Sequence, residues 1–176
     1  MDLFWFIILI ILSIISYGGS IYKIYKNEGS ESVSIEANVI AAVVSIVLYI
    51  NAESKYIEWI NILQLILVFT LMYFIIYYWK ARILKLKRLM KTIKENNAFK
   101  LGLIGSLFGI FGVAQGVKCK QNRTRKTEVS MLMYTMSILY GIIIIKLATS
   151  NFVIMAEVLS IMMYFYIVYM VRSKGE

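Results

Sequence analysis

The chain of 176 residues is 60% hydrophobic and 14% aromatic, carries a net charge of +9, and contains neither proline nor histidine. Soluble domains are nearer half apolar and a quarter charged, so this composition excludes an ordinary water-soluble fold; the lack of histidine removes imidazole ligands and the usual neutral-pH proton carrier. A single cysteine, Cys119, builds no disulfide framework or thiolate metal site within one chain, and most of the 19 Lys and Arg flank apolar runs, as positive borders of membrane helices do. No nucleic-acid surface is needed to explain them.

Taken in chain order, apolar runs fall at about 3–20, 33–51, 57–79, 101–117, 129–148 and 151–171. Each is close to the roughly 20 residues that a helix needs to cross hydrocarbon. The first begins at Leu3 with no basic residue before it, which reads as a retained helix rather than a cleaved signal. The expected fold class is therefore an all-α integral membrane protein, in a plasma or bacterial inner membrane. Between the third and fourth runs lies KARILKLKRLMKTIKENNAFK, where Ile83, Leu86, Met90 and Ile93 recur at helical spacing and Lys80, Lys87, Lys91 and Lys94 fall on another face. This predicts a basic amphipathic linker helix resting on anionic lipid headgroups. A crossing there would place seven cations in hydrocarbon at about 2.5 to 3.5 kcal/mol each near the centre.

The flanks of the linker resemble one another. An offset of 96 residues places ESVS (31–34) over TEVS (127–130), aligns three apolar runs with three, and superposes Asn61 on Glu157. The division expected is one three-helix repeat at 1–79, the linker at 80–96, and a second repeat with a short tail at 97–176. Internal repeats with polar residues at matching depth are a common ground plan of small transporters. Asn61, Glu157, Gln64 and Asn51 are the candidate solute-binding residues, and Asn and Gln at such positions also bridge helices with no ligand present. Glu36, near the start of the second run, is a further carboxylate in an apolar segment and lies closer to a loop. Trp5, Trp59 and Tyr140 are aromatic side chains able to stack on a ring, whereas the group ending at Trp79 reads as an interfacial anchor.

Two features of the fourth run pull in opposite directions. Gly102, Gly105, Gly109, Gly112 and Gly116 recur at steps of three and four, which predicts one small-residue face on a continuous packed helix. Six full crossings, however, divide the Lys and Arg 11 to 8 between the two sides, a weak positive-inside bias. A re-entrant fourth segment is the rival to six crossings.

AQGVKCKQNRTRKTEVSMLMY, followed by a span, a short turn and FVIMAEVLSIMMYFYIVYMV, resembles the PQ-loop repeat of the SWEET and SemiSWEET transporters. Gln115 stands at the motif glutamine and Lys118 at a recurring lysine. In the first repeat, SIYKIYKNEGSESVS (20–34) and WINILQLILVF (59–69) resemble the same loop and third helix. Gly19-Ser20 and Ala114-Gln115 replace Pro-Gln, so these four are the expected motif or gating residues. The resemblance implies a carrier or facilitator for a small polar solute, sugar-like or, through Glu157, cationic, and allows a homo-oligomer. A second class fits the missing prolines: a non-transporting membrane interaction protein, such as an immunity or regulatory factor, on the same fold. No phosphate loop, nucleophile elbow, metal spacing or paired catalytic acids is present in the sequence, so neither an enzyme nor a metal or other cofactor is expected.

Overall fold

The computed structural model describes residues 3–27, 33–50, 55–78, 97–121 and 129–173. These form seven helices: α1 Leu3–Asn27, α2 Ile35–Ile50, α3 Lys55–Tyr77, α4 Asn97–Leu107, α5 Val113–Lys120, α6 Met131–Leu147 and α7 Asn151–Ser173. No strand occurs among the described residues. The linker expected at 80–96 lies outside them, as do Asn51 and Trp79.

α1, α3 and α7 are long and apolar enough to cross a membrane, and α2 and α6 are shorter apolar helices. Their apolar side chains point outward as much as inward. Ile7, Ile11 and Ile14 line an exposed stripe of α1, Phe69 and Tyr73 one of α3, and Met155, Met162, Phe165 and Tyr169 one of α7. An apolar exterior on this scale exceeds what a soluble monomer leaves to water.

The helix ends sort into two groups. At one end, Ile24, Ile35, Leu71 and Ile75 gather the end of α1, the start of α2 and the end of α3. Cys119, Val129, Tyr134, Ile167 and Val171 gather the end of α5, the start of α6 and the end of α7. Hydrogen bonds tie the two groups: Lys23 Nζ donates to the Val129 carbonyl at 2.6 Å, and Lys118 Nζ to the Val33 carbonyl at 2.8 Å. At the opposite end, Lys146 near the close of α6 sits 4.5 Å above the Trp5 ring of α1, and Phe6 meets Tyr56 at the start of α3.

The expected fourth crossing is broken. α4 and α5, at 11 and 8 residues, are about 16 and 12 Å long, each roughly half of a crossing. They fold back on one another: the place of a Gly102 Cβ lies 2.8 Å from the Ala114 Cβ, and that of a Gly105 Cβ lies 2.6 Å from Val113. On a straight helix residues 102 and 114 would be about 18 Å apart. The chain therefore enters from the clamped end, turns and returns to it.

Glycine makes this turn. Gly109 has φ +71 and closes α4 with paired bonds, Ile110 N to the Gly105 carbonyl and Gly109 N to the Ser106 carbonyl. That is the Schellman arrangement, with its left-handed residue just past the helix. Gly112, at φ +83, then caps the start of α5 with no side chain to help. The five glycines are thus not one packing face. Two are turn residues, Gly102 and Gly105 allow α4 and α5 to touch, and Gly116 faces Met163.

The hairpin packs against α2 on one side and α7 on the other, while α1 packs against α3 and α6. Its tip meets Ala156, Ser160 and Tyr164 of α7. Ser160 is nine residues from one end of α7 and thirteen from the other, so the tip sits about half-way along the bundle.

Candidate functional site

Half-way along the bundle, hydrogen bonds that the backbone lacks must come from side chains. Ser160, fully buried, supplies them at the hairpin tip. Its hydroxyl accepts from Phe111 N at 2.9 Å and lies within donating reach of the Gly109 carbonyl at 3.2 Å and the Ala156 carbonyl at 2.9 Å. Beside the tip, Ala37, Ile40 and Ala41 of α2 face Gly102, Ser106 and residues 110–114 across a shallow open cleft.

Toward the Trp5 end lies a polar group shared by three helices. Gln64 of α3 donates from Nε2 to the Tyr140 hydroxyl of α6 at 3.1 Å. Glu157 of α7 is within electrostatic reach of Tyr140 and Tyr164. Its carboxylate packs on Gly141, where a Cβ would come within 3.1 Å of Oε2. Asn61 precedes Gln64 by three residues, on the same face of α3, and is 4% exposed. Its Nδ2 is buried with no hydrogen-bond partner among the described residues. A buried amide N–H left unpaired costs about 1–3 kcal/mol, so this donor would gain from an acceptor placed beside it.

Asn61 and Glu157 each lie six residues from the Trp5 end of their helices and Tyr140 seven, so all three sit about 9–11 Å in from it. The structure thus brings Gln64 and Glu157 around Tyr140 and sets Asn61 level with them. Asn61 and Glu157 are not hydrogen-bonded to each other among the described residues. Asn51 lies outside the described residues. Of the aromatics, Trp5 carries Lys146, Trp59 points outward, and Tyr140 alone joins the polar group.

The motif positions are found at the clamped end instead. Gln115, 1% exposed, accepts at Oε1 from the Ser34 amide at 2.6 Å and turns Nε2 toward Cys119 Sγ at 3.9 Å. Ser34 in turn caps α2, accepting from Ala37 N, donating to Glu36 Oε2 and accepting at its carbonyl from Asn38 Nδ2. Glu36 is therefore tied into a helix start. Ser130 caps α6 in the same way through Met133 N. Gly19 lets α1 approach Ser130 and Leu132, Ser20 donates to Met133 Sδ at 3.0 Å, and Ala114 fills the space beside Gly102.

Sequence reasoning missed a set of serines on α1 and the single serine Ser160. Ser13, Ser16 and Ser20 are buried along one face of α1, and Ser16 donates to the Met133 carbonyl at 3.1 Å, with Ser137 beside it at 3.4 Å. Their spacing of three and four was a readable signal for a polar, small-residue helix seam. Ser160 had no such signal. The described residues are thus helical, with three helices long and apolar enough to cross a membrane, an interrupted helix and a buried polar group between helices. Comparison with protein families, with curated proteins and with solved structures finds no match to this chain.

Proposed function

We propose that the chain is a small integral membrane carrier for a polar solute, built from two repeats in the manner of the PQ-loop transporters. The observation that carries this reading is the helix interrupted half-way along the bundle. Irregular backbone at that depth is tolerated where protein buries it or it lines a cavity, and carriers place it beside their site.

The pattern of contacts supports the repeats. α2 and α3 pack together as α6 and α7 do, α1 lies on α3 as α5 lies on α7, and α1 meets α6 as the hairpin meets α2. The fastenings are paired too, with Lys23 to Val129 and Lys118 to Val33, and with Ser130 facing Gly19 and Ser34 facing Gln115. In this reading α5 is the shortened first helix of the second repeat, and α4 brings the chain back so that both repeats run the same way. It does the work of a linker span without carrying the basic segment through hydrocarbon. The solute would be held by Asn61, Gln64, Tyr140 and Glu157, with a carboxylate suited to an amine or to proton coupling and an unpaired amide donor suited to a hydroxyl or carbonyl.

The same fastenings favour one second reading, a non-transporting interaction protein, because they tie the halves that a carrier must move. Reconstituted vesicles separate the two. A carrier loads labelled sugars, amino acids or polyamines in counterflow, and Glu157→Gln, which keeps shape and hydrogen-bonding capacity, alters selectivity for cationic solutes or the pH profile while leaving expression and monodispersity unchanged. Counterflow absent for every solute, from correctly folded protein, removes the carrier reading; a Glu157→Gln carrier with unchanged selectivity and pH profile removes the site.

A further inference from the structure

The hairpin changes where the charges lie. With the fourth segment returning to the end it entered from, α1, α2, α3, α6 and α7 are the crossings, five in number, and the chain termini fall on opposite sides. Of the cations on described residues, Lys23, Lys26, Lys100, Lys118, Lys120 and Arg172 belong to the clamped end, and Lys55 and Lys146 to the Trp5 end. If the stretches between those helix ends stay on the same side, the sequence adds seven Lys and Arg at 79–96 and three at 122–128, with Lys174 after Ser173. The division becomes 17 to 2, in place of 11 to 8 for six crossings.

We infer that the clamped end is the cytoplasmic face and that its partner is the anionic headgroup layer of that leaflet, with the amino terminus outside and the carboxyl terminus inside. This rests on the membrane reading above and is independent of transport. Cations in short loops and at helix ends set orientation because they resist translocation and are held by anionic lipid, each contributing about 1 kcal/mol near such a surface. A bias of 17 to 2 leaves no competing preference. Lys146, one of the two exceptions, is seated on the Trp5 ring, which gives that cation a local partner away from the anionic layer. The polar group of Gln64, Tyr140 and Glu157 then lies in the outer half of the membrane.

Single cysteines test this in the full-length chain expressed in bacteria, with the native chain as the background control, since Cys119 is fully buried. Glu95→Cys and Gln121→Cys flank the hairpin; Lys55→Cys and Ser150→Cys mark the other end. A membrane-impermeant maleimide should label the latter pair in intact spheroplasts and the former pair only after permeabilisation. Labelling of positions 95 and 121 from opposite sides would mean that the fourth segment crosses, and labelling of all four with sides exchanged would mean that anionic lipid does not orient the bundle. Either overturns the inference. Release of the native chain by alkaline carbonate, measured first, would instead remove the membrane reading on which it rests.

Discussion

Gln115 is the side chain on which the junction of the two halves turns. Its carbonyl oxygen accepts from the Ser34 amide in a site closed to solvent, and Ser34 holds the start of α2. Gln115→Leu keeps the volume and removes the acceptor, leaving a buried N–H without a partner. The expected loss is about 1–3 kcal/mol, read as a lower unfolding midpoint of the purified protein in detergent. An unchanged midpoint would show that the Ser34 amide finds another acceptor. That an amide at the close of an apolar run matters was legible in the sequence; its partner, 81 residues away, was not. Ser160 was less legible still. A serine within an apolar helix ordinarily bonds the carbonyl four residues back, and Ser160 does lie in reach of Ala156 O. Its contact with Phe111 exists only because the chain reverses there. Ser160→Ala should leave the Phe111 amide unpaired and speed hydrogen exchange at 108–112 relative to α3 and α6, a difference that exchange mass spectrometry measures peptide by peptide.

At the scale of an element, the break between α4 and α5 depends on two residues in the left-handed region. Gly109→Ala and Gly112→Ala should each cost about 1–2 kcal/mol for the backbone conformation alone. Both add a clash, because a Cβ at 109 would sit 2.9 Å from the Ala156 Cβ and one at 112 would sit 3.0 Å from the Tyr164 ring. Gly18→Ala is the contrasting substitution. It lies within α1 with open space where the methyl would go, so it should be neutral or stabilising by about 0.5–1 kcal/mol. Thermal unfolding of the three variants in one detergent checks the order; Gly109→Ala matching Gly18→Ala would mean that the turn is not held at positive φ. The helix starts were readable, since Ser34 and Ser130 stand three residues before the amides they cap, in matching sequences. The end of α4 was not, because glycines at steps of three and four describe a packing face and a broken helix equally well.

For the whole molecule, the apolar exterior of α1, α3 and α7 predicts a protein that stays in the membrane pellet through alkaline carbonate and leaves it only with detergent. Its recovery in the soluble fraction would contradict that. Five crossings, as inferred above, would also account for the weak 11 to 8 division of Lys and Arg that six crossings give. Each apolar run taken as a crossing inverts every loop after it, so one mistaken crossing scatters the later cations over both sides.

Local hydropathy and length were enough to mark the apolar segments that become α1, α2, α3, α6 and α7, although α1 runs to Asn27, beyond the expected end at 20, and the serines that cap α2 and α6 stand close in the chain to the amides they serve. The sequence also singled out Gln64 and Glu157 as polar residues in apolar helices. That the fourth segment turns back follows from long-range packing instead. The run at 101–117 is long and apolar enough to cross, and its glycines permit either outcome. The choice depends on groups elsewhere in the chain: Ser160 on α7, whose hydroxyl serves the tip's backbone, and Ile40 on α2, which packs against Gly102. A buried turn is stable only where such partners close over it, and they come from helices some 50 and 60 residues distant in sequence.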